Sequence, residues 1–255
     1  MNRLVLIVVT FSLLPSCAHR HALPTRHQLM RDRLVVSSDV NLDSHEDLLQ
    51  RLVELRNQMS ADLNLKASDE PVYVYLFKHD EEFKAYSSSR YPQLKGRRAF
   101  FVEDSQGLSV YTGWGERVEE DLRHEVAHGY LHSVLPNASL WLDEGIAEYF
   151  EVEPDSAGLN WQHVKLLVET RAKDEWTPNL ARLEQLRDAA RMRQLDYAEA
   201  WLWIHFFLNT SEDRRGLLRS YLRNLQEGLR PPALSEHIGS IEPQLVEYLQ
   251  FLSAE

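Results

Sequence analysis

Residues 118–134 read Val-Glu-Glu-Asp-Leu-Arg-His-Glu-Val-Ala-His-Gly-Tyr-Leu-His-Ser-Val. Val118, Leu122, Val126 and Tyr130 recur every fourth position, with Leu131 and Val134 beside them, so the stretch is a helix with one buried face. His124 and His128 are four apart and lie one turn apart on one side of that helix. Both imidazoles can therefore reach a single ion, and neutral imidazole is a good zinc ligand. Glu125 follows the first histidine and points at the remaining coordination space, where it can take a proton from a metal-activated water.

The character of the chain changes just before this helix, at Gly113-Trp114-Gly115. Upstream, short β-branched and aromatic runs predict strands at 33–38, 71–77, 98–103 and 108–112, with helices at 45–63 and 79–87. Asp104-Ser105-Gln106-Gly107 is a hairpin turn between the last two strands. Downstream, nearly everything has helical spacing: 140–151, 160–172, 180–193, 196–209, 213–227 and 242–252. Strands first and helices afterwards predict an α+β fold, not alternating βαβ units. The expectation is a small mixed N-terminal β-sheet with helices, then a helical C-terminal half, with an active-site cleft between them.

A catalytic zinc takes three protein ligands and keeps one position open. The segment Trp141-Leu142-Asp143-Glu144-Gly145-Ile146-Ala147-Glu148-Tyr149-Phe150 supplies candidates for the third. The intervening residues suffice to finish the first helix, turn at Pro136-Asn137 and start an antiparallel helix near Ser139. HExxH followed by W-L-x-E-G-x-A-E-Y resembles the gluzincin metallopeptidases, and especially the bacterial peptidase-MA-like domains. The resemblance implies a zincin-like fold, one zinc ion, and Glu144 as the third ligand beside His124 and His128. It also implies that Glu148, one turn beyond Glu144, receives the second ring N–H of a ligand histidine. Asp143 fits a similar supporting role or an acid near the helix N-terminal dipole. His132 continues the four-residue series but has turned by about 80° from His124, which suits a C-terminal-turn histidine or a cleft wall.

Asp196-Tyr197 opens an otherwise apolar helix, and this resembles the catalytic-tyrosine segment of aminopeptidase-like gluzincins. The resemblance makes Tyr197 the donor to a tetrahedral oxyanion. His205, farther along, reads as a core-edge histidine. The 98–112 hairpin is expected to line the cleft, with Phe100, Phe101 and Trp114 as walls or as core. A glutamate motif of the GxMEN type is absent before the zinc helix, which disfavours aminopeptidase action.

At the other end, Met1-Asn2-Arg3 and the uncharged apolar run Leu4 to Leu14 have the layout of a signal peptide, too short for a permanent membrane helix. Leu14-Pro15-Ser16-Cys17 resembles the bacterial lipobox. That resemblance implies cleavage before Cys17, lipid on Cys17, and, with Ala18 following, sorting to the outer membrane facing the periplasm. The expected layout is a signal peptide at 1–16, a lipidated tether at 17–31 and one catalytic domain at 32–255, with its sheet part at 32–115 and its helical part at 116–255. Cys17 is the single cysteine, so no intrachain disulfide forms. A net charge of −11 disfavours a nucleic-acid partner.

These readings converge on a zinc metallopeptidase acting on a peptide or protein at the bacterial cell envelope, held to the membrane through its N-terminal lipid. The rival is a catalytically silent zinc-binding lipoprotein serving as a binding module, and the intact Glu125 speaks against it. A third possibility is hydrolysis of a cell-wall peptide bridge.

Overall fold

The computed structural model describes residues 22–239 and 241–254. Cys17, the signal peptide and the start of the tether lie outside these residues. The chain runs β1 (His27–Arg31), β2 (Leu34–Ser38), α1 (Glu46–Leu63), β3 (Val72–Phe77), α2 (Asp80–Arg90), β4 (Ala99–Asp104), β5 (Gly107–Gly113), α3 (Val118–His132) and α4 (Leu140–Phe150). It continues with α5 (Trp161–Arg171), α6 (Leu180–Leu183), α7 (Gln194–Asn209), α8 (Glu212–Gln226), α9 (Leu234–His237) and α10 (Glu242–Leu252). The fold is α+β, a five-stranded mixed sheet followed by a helical half.

The sheet order is β1-β2-β3-β5-β4. β2, β3 and β5 are parallel neighbours, while β1 and β4 pair antiparallel at the two edges. Alternation in β3 sorts its side chains. Val72, Val74 and Leu76 enter the main core under the helices, while Tyr75 and Phe77 join Phe83, Tyr86, Tyr91, Phe100 and Tyr111 beneath α2. The β4–β5 turn is held by the Asp104 carboxylate, which accepts from Gln106 N at 2.8 Å, and by Gly107 at φ +111°.

α3 lies directly on this sheet. A Cβ on Gly129 would sit 2.7 Å from Val72 Cγ1, so only glycine allows the approach without displacement. α1 covers α3 through a stripe of Leu48, Leu52, Leu55 and Met59. In the helical half, α7 is the centre. Ala198 through Leu208 are buried on every face, the signature of a helix surrounded by others. α4 packs most closely against it, with Gly145 facing the Ala200 carbonyl.

Two expectations need correction. The tether does not reach residue 31, because His27–Arg31 pairs with β2 and Thr25 N and Arg26 N both donate to Asp39. The predicted helix 180–193 is helical only over Leu180–Leu183, followed by a short 3-10 turn at Ala189–Arg191. The Glu184 carboxylate turns away to accept from Leu234 N and Ser235 N. Asp188 folds its side chain onto Ala190 N. These tertiary and local hydrogen bonds outweigh the propensity of the segment.

Candidate metal centre and cleft

α3 and α4 form an antiparallel hairpin, and the expected residues meet along it. His124 Nε2 and His128 Nε2 are 3.2 Å apart. Glu144 Oε2 lies 3.7 Å from the first and 3.6 Å from the second. The three residues form a group able to hold a metal ion. Glu125 is buried beside them. Burial raises its carboxyl above the ordinary range against the opposing charges of His124 and His128.

Each imidazole is oriented from behind. His128 Nδ1 meets Asp143 Oδ1 at 2.8 Å, and His124 Nδ1 meets Glu151 Oε2 at 3.0 Å. A carboxylate only accepts, so each Nδ1 carries the hydrogen and each Nε2 offers its lone pair to the shared space. Burial works against charge on His128, but Asp143 and Glu144 outweigh it and raise this imidazole to about 10. His124 is likewise raised, with Glu144 and Glu151 overcoming its burial. Burial opposes ionisation of Glu144, yet the two histidines hold it down at about 2.

The role expected of Glu148 therefore belongs to Glu151 and Asp143. Glu148 lies close to His124 but accepts from His163 Nε2 on α5 at 2.6 Å. His163 takes this oxygen, and the His124 Nδ1 hydrogen goes instead to the residue just past the end of α4. Burial first, and then the neighbouring charge of Glu148, lift Glu151 to about 7 against the pull of His124. His124, Glu148 and Glu151 are a second set close enough for a metal. Their hydrogen bonds to His163 and to Asn160 Nδ2, the latter at 2.9 Å, already account for the arrangement.

Arg123, next to the first histidine, is 2 % exposed. Its Nε donates to Glu151 O at 3.1 Å and its Nη2 to Phe150 O at 2.8 Å. These are carbonyls at the open C-terminal end of α4. The same arginine thus pins the end of α4 to α3 and fixes the stem from which Glu151 reaches His124.

Tyr197 stands half-buried in the first turn of α7. Burial and the Glu144 charge raise its hydroxyl, while the nearby charges of Arg97 and His124 pull it down. The structure thus brings Tyr197 toward the same group. Asp196 holds this turn by accepting from Arg193 N and from Arg182 Nη1. Glu199, fully buried, is held by Trp176 Nε1, Asn179 N and Arg182 Nη2.

A cleft of about 520 Å³ opens at the metal group, with Arg97, Arg98 and Ala99 on one side and Asn160, His163 and Leu166 on another. The hairpin does line it, through the residues leading into β4. Phe101 packs on His128 with ring centroids 6.1 Å apart. Phe100 points to the opposite face of the sheet, and Trp114 packs against His45. His205 is a core histidine whose Nδ1 lies 2.8 Å from the Tyr248 hydroxyl. Among the described residues, no helix is long and apolar enough to cross a membrane.

The residues missed from sequence are Glu151, His163 and Arg97. Glu151 gave no usable signal: where 128 faces 143 in an antiparallel hairpin, 124 faces 147, which favours Glu148, and Glu151 lies past the end of α4. His163 and Arg97 arrive from other segments and left none. A family model described as a protein of unknown function (DUF1570) matches residues 120–228, a span that holds the metal group, Glu125 and Tyr197. No curated protein matches the chain.

Proposed function

We propose that this chain is a zinc-dependent peptidase of gluzincin type, with one zinc held by His124, His128 and Glu144. The observation that carries the reading is the spacing of the three ligand atoms. Ligands at about 2.0–2.1 Å around a tetrahedral ion stand roughly 3.3 Å from one another. The distances here are 3.2, 3.6 and 3.7 Å. Two imidazoles and one carboxylate are a catalytic zinc set, leaving one position for water or substrate.

When bound, zinc acidifies water to a pKa near ~7 and polarises a carbonyl. Glu125 takes the proton at its carboxylate and delivers it to the leaving amine; its burial suits both halves of that transfer. Tyr197 donates its hydroxyl to the developing oxyanion, and Arg97 beside it makes that hydroxyl a better donor. β4, at the sheet edge next to α3, offers main-chain pairing to an extended peptide. The lipobox-like ending at Cys17 supports a site of action at the bacterial envelope, on a lipid anchor in the outer membrane.

The test is digestion of a peptide library, followed by mass spectrometry, with zinc, with chelator and with zinc restored. Cleavage is expected only when zinc is present. Glu125→Gln is expected to retain zinc and lose hydrolysis by about 10²–10⁴-fold. Zinc-loaded Glu125→Gln with parental turnover would refute the mechanism. A parent that binds no zinc would refute the site.

A further inference from the structure

A line of four side chains runs from the edge of the sheet to the metal group. Glu103 Oε2 on β4 meets His132 Nδ1 at 2.7 Å, and His132 Nε2 meets Asp143 Oδ2 at 3.2 Å. The other oxygen of Asp143 meets His128 Nδ1 at 2.8 Å. Resting on the metal reading above, we propose that His132, anchored by Glu103, is a positioning residue that holds Asp143 against His128 and ties strand β4 to the metal ligand.

The geometry supplies the reasons. Asp143 uses one oxygen for each imidazole, so His132 supplies the second point that fixes the plane of the carboxylate. Without it, that carboxylate can rotate or swing toward the cleft, and the His128 ring loses a fixed partner. A histidine that only complemented the end of α3 would face the carbonyls of its last turn. His132 instead commits both ring nitrogens to carboxylates on other elements. β4 makes a second contact along the same line. Phe101 and Glu103 are two apart and share one face of the strand. The Phe101 ring packs on both His128 and His132, with centroids 6.1 and 5.0 Å away. The strand that borders the cleft is thereby registered against the ligand helix through one aromatic and one carboxylate.

The experiment measures affinity for Zn²⁺ by competition with a chelator. It adds the visible spectrum of the Co²⁺-loaded protein as a report on ligand geometry. The full chain is compared with His132→Ala, His132→Gln and Glu103→Gln. Outer hydrogen-bond partners of metal ligands typically contribute 10–100-fold to metal affinity. His132→Ala is expected to lose affinity in that range and to alter the cobalt spectrum. His132→Gln keeps an N–H for Asp143 and is expected to recover most of the loss; Glu103→Gln keeps an acceptor and is expected to lose less than His132→Ala. Parental affinity and spectrum in His132→Ala overturn the proposal, as does an equal loss in the Ala and Gln variants. Failure of the parent to bind Zn²⁺ overturns the metal reading instead.

Discussion

Replacing Gly145 with alanine tests how tightly the proposed ligand Glu144 is placed. The new Cβ would stand 2.7 Å from the Ala200 carbonyl oxygen, 2.9 Å from its carbon and 2.9 Å from Ile204 Cγ1. Ordinary contact begins near ~3.4 Å, so α4 and α7 must part by about 0.7 Å. The obstacle is backbone, which cannot swing aside as a side chain can. Overpacking of this kind costs about 1–3 kcal/mol, offset by roughly 1 kcal/mol of better helix propensity for alanine. The net expectation is a loss of up to about 2 kcal/mol, or up to roughly 4–8 °C in Tm. Gly216 provides the control: it lies on exposed α8 with nothing within 4 Å of a built Cβ. Gly216→Ala is expected to gain up to about 1 kcal/mol from propensity alone. The shift at Gly145 also exceeds the ~0.5 Å within which a site must be held, so zinc affinity should fall in Gly145→Ala and stay at the parental value in Gly216→Ala. Urea unfolding of the zinc-free proteins and chelator competition read both effects. If Gly145→Ala is stabilised as much as Gly216→Ala, the α4–α7 contact has slack and the argument is wrong.

Two further predictions concern protons. The carboxylates around His124 and His128 raise both imidazoles above the ordinary histidine range, so zinc competes with protons for their Nε2 atoms. Calorimetric titration in two buffers of different ionisation heat should show net proton release on zinc binding, with affinity weakening as pH falls; zero net release would contradict the assignment. His205 is pushed down to about 4 by burial. The unfolded chain takes up this proton below a pH of about 6.5, while the folded chain does so only near 4. The stability present above pH 6.5 is therefore lost as pH falls toward 4, by an amount of order 3 kcal/mol. Urea unfolding at pH 7.5 and 4.5 should show a smaller acid loss in His205→Gln than in the parent, and equal losses would refute it.

The hairpin that carries the proposed ligands was legible because its logic is local. HExxH sets two imidazoles on one face of α3, and the glutamate segment is near enough in sequence to fold back as α4. The partners behind the ligands were less legible. Glu148 has the right helical offset, but whether it serves His124 depends on His163, which arrives from a separate helix. Glu151 works from the residue just past α4, where helical periodicity ceases to indicate direction. β1 escaped notice because His27–Arg31 is an exposed edge strand with little apolar alternation to mark it. The segment 184–193 misled in the opposite sense: Arg, Ala, Gln and Met favour helix, but Glu184 and Asp188 spend their carboxylates on other backbone amides.

The arrangement of the α3–α4 hairpin also bears on how such a protein diversifies. All three proposed ligands, the proposed general base and the carboxylates behind them fall between residues 124 and 151. Other walls of the cleft come from separate stretches of chain, at Arg97–Ala99, along α5, and at Gln194, the first residue of α7. Changes in sites that share no partners tend to add independently. Substitutions at wall positions with no bond to the hairpin, such as Leu166, can therefore alter what fits the cleft while the hairpin stays as it is; Asn160 and His163, bonded to Glu151 and Glu148, are not free in this way. The hairpin works as a fixed tool head with partly exchangeable jaws, and a change in what fits the cleft is accessible at wall positions that bond neither the proposed ligands nor the carboxylates behind them.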